Sequence, residues 1–405
     1  MSRILFILSL LLSFTVVQSF SQTGSVSGVV TDSITGQPVA NLSVFIPFTS
    51  IGTTTNAKGE YSLDHLPPGD YSLMFRHVAY RSYSRAITIE AGKQVAVNLA
   101  VAENTYKIDE VVKSGKIPDW SWGYDLFKEY FLGDVSELKC LLKNKKDLKF
   151  YIDGDILTAY SRTPLEIVNR HLGYSITYYL DYFKFVENKN PDKNSVQGAY
   201  YAFSGSALYH KLSSRIPLAG LNWEKNRESE FKGSLRHFLA CLYQDKLSEN
   251  HYYLRKAYRG LSDLQQKEKL AASMAKIRMA QTDSVFSWYP GEGKSGFLYF
   301  IPAEEVLIPP DQITAGPQPG EKTVILSDFL LIFSDFEKTP DLRDDWISTL
   351  RIPTGSIIFD KAGNYRVTGG TLEWTNLDNT VRMRVMLPTD YVPGQGKRQK
   401  AEGKN

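Results

Sequence analysis

Six histidines, His65, His77, His171, His210, His237 and His251, are the first residues to test for chemistry in this chain. A hydrolytic zinc centre takes two ligands close together on one element, with a carboxylate to activate water. None of the six begins His-x-x-Glu or His-Glu-x-x-His, so no metal site and no cofactor is expected. Serine chemistry needs a nucleophile on a strand-to-helix elbow, typically within Gly-x-Ser-x-Gly. Phe203-Ser204-Gly205-Ser206-Ala207 and Gly291-Glu292-Gly293-Lys294-Ser295-Gly296 lack that pattern and read as turns. No Gly-x-x-x-x-Gly-Lys-Ser/Thr phosphate loop is present. Paired carboxylates such as Asp153 with Asp155, or Glu304 with Glu305, would serve glycoside hydrolysis only if folding set partners about 5 to 10 Å apart. Solvated turns are the simpler reading.

The densest polar cluster is Asn222-Trp223-Glu224-Lys225-Asn226-Arg227, followed by Phe231-Lys232-Gly233-Ser234-Leu235-Arg236-His237-Phe238. Trp223, Asn226, Arg227 and His237 are the candidate ligand-binding residues. Arg227 and His237 could hold an anion, or could tie a loop to a helix through buried hydrogen bonds, and the residues favour the second reading. Ser234 is placed to cap the apolar helix that runs to Leu242. The run Tyr178-Tyr179-Leu180-Asp181-Tyr182-Phe183-Lys184-Phe185 could offer rings for sugar stacking, or bury them in a strand. Cys140 and Cys241 both sit in apolar, helix-like runs, and two separately buried thiols are expected. A disulfide between them would close a loop of about a hundred residues and constrain the unfolded chain by roughly 4 to 5 kcal/mol.

Two kinds of segment carry these residues. From Gly24 to Val101, short β-rich runs alternate with turns every eight to twelve residues, about seven strands in all, which predicts a sandwich. Tyr71, Leu73 and Phe75 alternate inward, as do Val95, Val97, Leu99 and Val101 on one last strand. Beyond Ser114 the periodicity predicts helices over 120–132 and 262–280. Strands are predicted over 147–159, 174–186, 199–209, 252–257, 296–301, 323–333, 356–359, 365–374 and 381–387, with a proline-rich loop over 308–319. The second part is therefore expected to be α+β and rich in antiparallel sheet. Residues 1–21 read as a secretory signal peptide: Arg3, an apolar run from Ile4 to Val17, then Ser19 and Ser21 before a cleavage ahead of Gln22. The apolar run is short for a bilayer span, and no cysteine follows it to take a lipid. The expected organisation is signal peptide 1–21, β-sandwich 22–102, linker 103–119, α+β domain 120–392 and a basic, solvated tail 393–405.

At 42% hydrophobic and 22% charged, the chain has the composition of a globular protein. Its net charge of +3 lacks the basic excess that displaces counterions from nucleic acid.

Four ordered motifs carry a resemblance over the first part: Ser27-Gly28-Val29-Val30-Thr31-Asp32, Gly36-Gln37-Pro38-Val39, Thr55-Asn56-Ala57-Lys58-Gly59-Glu60-Tyr61 and Leu66-Pro67-Pro68-Gly69-Asp70-Tyr71. Together they resemble the carboxypeptidase-regulatory-like, or transthyretin-like, domain. The resemblance implies an accessory module for folding support, spacing or binding, with no catalytic residue of its own. Tyr106 to Val112 resembles the segment after this domain in TonB-dependent outer-membrane receptors. The remaining chain is short for a receptor barrel and carries helical patterns, so a linker or last strand is expected there. Residues 120–392 resemble the C-terminal region of exported bacterial carboxypeptidase-like regulatory domain-containing proteins. The carrying segments are Tyr130-Phe131-Leu132-Gly133, Pro164-Leu165-Glu166-Ile167 with His171-Leu172-Gly173-Tyr174, Trp223 to Arg227 with Gly233-Ser234 and His237-Phe238, and Met386-Leu387-Pro388-Thr389-Asp390-Tyr391. That resemblance implies no activity.

The functional expectation is an exported, non-enzymatic accessory or binding protein of the cell envelope, periplasmic, outer-membrane associated or secreted. Its expected partner is an envelope protein or a glycan or peptide, with peripheral membrane association left open. The rivals are an envelope hydrolase centred on His171, Arg227 and His237, and a structural component of an outer-membrane assembly.

Overall fold

A computed structural model describes residues 23–104, 116–186, 200–213, 217–259, 287–291, 294–300, 308, 312–318, 320–326, 329–334, 347–351, 355–368, 373–376, 383 and 386–393. The expected signal peptide, the segment resembling the receptor linker, the helix expected over 262–280 and the tail from 394 onward lie outside the described residues. The chain divides into two compact units, with the boundary after Tyr106.

The first unit holds eight short strands: β1 (Gly24–Asp32), β2 (Ser43–Phe45), β3 (Gly52–Thr54), β4 (Glu60–Leu66), β5 (Gly69–Arg76), β6 (Tyr83–Ile89), β7 (Gln94–Ala96) and β8 (Leu99–Val101). They form two sheets, one ordered β4-β1-β7 with β8 also on β1, the other β3-β2-β5-β6. Alternation buries one face of each sheet in a shared core: Val26, Val30, Leu63 and Leu66 against Val44, Leu73, Phe75 and Ile87. The count is eight because the expected last strand is two. Val97 lies between β7 and β8, and both pair parallel with β1. The turn into β4 ends on Gly59 at φ +73, where a Cβ would stand 2.3 Å from the Val30 carbonyl oxygen.

The second unit opens with α1 (Trp120–Phe127), whose N-cap Asp119 accepts from the Trp122 amide, and continues into a π turn at Lys128–Leu132. Next come β9 (Cys140–Leu142), β10 (Leu148–Asp153), β11 (Ile156–Ser161), β12 (Leu165–Asn169), β13 (Tyr174–Val186) and β14 (Tyr200–Lys211). All six form one antiparallel sheet around β13. β14 runs along one side of β13, while β12 and β11 share the other. Phe127 and Phe131 of the helical segment pack their rings on Phe183, Tyr178 and Phe203 of this sheet.

Two helices follow, α2 (Pro217–Phe231) and α3 (Leu235–Tyr243). The remaining strands are β15 (Tyr252–Arg259), β16 (Ser287–Gly291), β17 (Lys294–Phe300), β18 (Ile313–Ala315), β19 (Glu321–Val324), β20 (Phe329–Ser334), β21 (Ile347–Arg351), β22 (Ser356–Asp360), β23 (Tyr365–Thr368) and β24 (Glu373–Asn376). They make a six-stranded sheet, β16-β17-β15-β20-β21-β24, and a four-stranded one, β18-β19-β22-β23. α3 buries Leu235, Phe238, Leu239 and Leu242 in a core fed by both sheets through Leu254, Ile332, Leu350, Val324 and Phe359.

Several expected strands divide. The run 147–159 is the hairpin β10–β11, turning at Gly154 with φ +59. The run 323–333 ends one strand in the small sheet and begins another in the large one, and 365–374 does the same. The proline-rich loop contains β18. In the strand expected over 381–387, the described residues Met383, Met386 and Leu387 belong to no strand.

Candidate functional site

Three of the four candidate ligand-binding residues lie on α2 and converge on one turn, Arg170 to Gly173, which joins β12 to β13. The Trp223 indole donates to the Arg170 carbonyl at 2.9 Å. The Asn226 amide donates to the His171 carbonyl at 2.8 Å. Arg227 donates through Nε to Leu172 O at 2.7 Å and through a terminal nitrogen to Gly173 O at 3.2 Å. Its guanidinium also lies 4.4 Å from the centre of the Tyr174 ring and 3.4 Å from Glu224. His171 donates from Nε2 to Glu230 at 2.7 Å, which leaves Nδ1 to face Asn226.

The turn is built for this clamp. Asn169, fully buried, accepts the Leu172 amide on Oδ1 and donates from Nδ2 to Met383 O. Gly173 at φ +71 lies so close to Trp223 that a Cβ would be 2.3 Å from the indole. Each α2 donor meets a backbone carbonyl, and Arg227 is buried. Chemically, the cluster fixes a loop to a helix.

His237 stands apart from the clamp, on α3, whose first turn is capped by the Ser234 hydroxyl accepting the His237 amide. Its Nδ1 accepts from the Tyr252 hydroxyl at 2.8 Å. Burial pushes the imidazole pKa down to about 4, so the ring is neutral at neutral pH. Cys241 lies one turn on, at i+4, the spacing that puts two side chains on one helix face. Burial pushes its thiol up to about 11, which leaves about one thiolate in ten thousand at pH 7. Cys140 and Cys241 are both buried and are not joined in a disulfide; Cys140 sits on strand β9, not in a helix, because Cys140, Leu141 and Leu142 pair with β12. Among the described residues, no group of three or more His, Cys, Asp or Glu is placed to hold a metal ion.

Both His237 and Cys241 line a groove of about 480 Å³. Its lining includes Phe231, 5.4 Å ring to ring from His237, and Tyr391, 6.1 Å from Phe231. Gln244, Lys246, Asn250 and Lys361 stand around it. The residue that closes this region stands in the polar cluster of the sequence but was not among its candidates. Arg236, buried, donates to the carbonyls of Pro388, Thr389 and Tyr391 at 2.9, 2.7 and 3.1 Å, binding the segment 386–393 to α3. Only its adjacency to His237 could have pointed to it, since its partners are some 150 positions away.

Comparison with known proteins assigns the first unit. Residues 26–113 match the family model of the CarboxypepD_reg-like domain. The first unit is a CarboxypepD_reg-like domain. The TonB-dependent transporter Oar of Myxococcus xanthus is 31% identical over 86 residues, covering 20% of this chain and 8% of the transporter. Among solved structures, the minor pilin GBS52 of Streptococcus agalactiae is 19% identical, covers 24% of this chain and 48% of that one, and has a TM-score of 0.19. The Bacillus anthracis TIE protein is 11% identical over 48% of this chain and 32% of that one, with a TM-score of 0.18. This chain thus spans a small part of the curated relative's length and less than half of each of these structures. The CarboxypepD_reg-like domain carries none of the candidate residues, all of which belong to the second unit.

Proposed function

We propose that this is an exported cell-envelope accessory protein which binds a glycan or peptide, without turning it over, in the groove along α3. The observation that carries the reading is a groove of ligand size whose two chemically active side chains are held unreactive. A volume of about 480 Å³ suits a small ligand. Cys241 is kept as a thiol and His237 as a neutral ring engaged by Tyr252, whereas a nucleophile–base pair needs the opposite shifts. His171 and Arg227, the other residues of the hydrolase alternative, are spent on backbone carbonyls and Glu230. The occurrence of a related domain in a TonB-dependent transporter supports an envelope setting, as does the signal-like sequence of residues 1–21.

Muropeptides, which carry sugar and peptide together, are the natural probe. Calorimetric titration should show binding, with the muropeptides recovered intact by mass spectrometry. Asn250→Trp, which places a ring across the groove, should weaken binding by about tenfold with the melting temperature unchanged. Cleaved muropeptides would favour the hydrolase alternative, and affinity equal to wild type in the tryptophan variant would remove the groove from the reading.

A further inference from the structure

The registers of β10, β11, β13 and β14 set a second surface, on the face of their sheet opposite Phe127 and Phe131. Tyr151 pairs with Thr158, and Thr158 with Lys184. Lys149 pairs with Tyr160, and Tyr182 with Ser204. Residues paired across neighbouring strands share a face, and Lys184 and Tyr182 share one by the two-residue period. Leu157, Ala159, Phe183 and Phe185 alternate with these and are buried on the other side. Three tyrosines, Tyr151, Tyr160 and Tyr182, therefore stand on one outer face across three adjacent strands, about 10 Å from first to last.

None of the three is buried. Tyr182 is 40% exposed, with the Lys184 ammonium 5.7 Å from the centre of its ring, and Tyr151 and Tyr160 are half-buried with their rings 6.1 Å apart and inclined at 59°. Around them stand Lys149, Lys184 and Asp153, with Asp181 at the bulge between Leu180 and Tyr182, where Ser204 approaches its carboxylate at 3.4 Å. The two cations are thus matched by two carboxylates, so the face has no net charge to attract a polyanion. Tyrosine offers an apolar ring face with few rotors to fix, and the mixed donors and acceptors suit hydroxyls that both give and accept hydrogen bonds.

We propose that this tyrosine face is a binding platform for an uncharged polysaccharide, whose sugar rings stack on Tyr151, Tyr160 and Tyr182 while their hydroxyls bond to the surrounding charged groups and Ser204. The proposal goes beyond the groove along α3, shares no residue with it, and stands or falls separately. Affinity electrophoresis of the whole mature chain through gels containing a soluble neutral glucan, or polygalacturonate as the charged control, tests it. Retardation by the neutral glucan is expected. It should fall by about tenfold in Tyr182→Ala and in Tyr151→Ala, survive in Tyr182→Phe, which keeps the ring, and be unaffected by Asn250→Trp. No retardation by neutral glucans such as xyloglucan, amylose or hydroxyethylcellulose would overturn the proposal. So would retardation confined to polygalacturonate and abolished by salt, or full retention in both alanine variants with unchanged melting temperatures.

Discussion

At the scale of single residues, His237 is the most informative side chain. It is a histidine whose folded pKa, about 4, lies below its ordinary 6.5 because burial disfavours the imidazolium. The unfolded chain therefore binds a proton that the folded chain refuses between those two values. The contribution of His237 to stability is fully present above pH 6.5, declines as the pH falls through this window, and is gone below the folded pKa, where the decline levels off. Urea denaturation across pH 4 to 8 should show this decline. His237→Gln, which keeps a polar group near Tyr252 but does not titrate, should flatten it. An identical pH profile in the variant would show that the imidazole is not kept neutral by its surroundings. Cys241, at i+4 on the same helix, is held as a thiol by the same burial, so one environment silences both groups.

At the scale of elements, α2 acts as a clamp on the β12–β13 turn, with Arg227 as its strongest tooth. A buried guanidinium giving hydrogen bonds to Leu172 O and Gly173 O and stacked on Tyr174 leaves several groups unsatisfied when removed. Arg227→Ala should cost about 2 to 4 kcal/mol, read by chemical denaturation. Arg227→Lys should recover only part of it, because an ammonium cannot reproduce the planar fork. A ligand-contact role predicts the reverse, lost binding with an unchanged melting temperature. The elements themselves were legible where a local signal sufficed. β13 runs over 174–186 as its alternation predicts, and Ser234 caps α3 where the hydroxyl precedes the apolar run. Boundaries within a strand-like run were less so: Gly154-Asp155 is a hairpin signal, yet the apolar residues on either side read as one strand. The chain changes sheets between Val324 and Phe329, where the only local signal is the polar pair Ser327-Asp328 between two apolar runs. Trp223, Asn226 and Arg227 were legible as a polar cluster. Their partners, more than fifty residues earlier, were not, since nothing in the cluster's own spacing encodes a carbonyl brought there by the fold.

At the scale of the whole molecule, the two units have separate cores. The first, a CarboxypepD_reg-like domain of some eighty residues, buries Val26, Val30, Leu73 and Phe75 among its own strands; the second builds on Phe127, Phe131 and the α3 core. A unit with its own core can unfold on its own. The sequence supplies a clean reporter, because all six tryptophans, Trp120, Trp122, Trp223, Trp288, Trp346 and Trp374, lie beyond the boundary at Tyr106. Tryptophan fluorescence therefore follows the second unit alone, while far-ultraviolet dichroism follows both. Thermal unfolding of residues 22–405 should show two dichroism transitions, one of which coincides with the single fluorescence transition. A fragment spanning residues 23–106 should melt at the temperature of the other. A single transition at the same temperature by both probes, together with an unfolded fragment, would show that the first unit depends on the second for its stability, and would recast it from an independent accessory module into part of one cooperative fold.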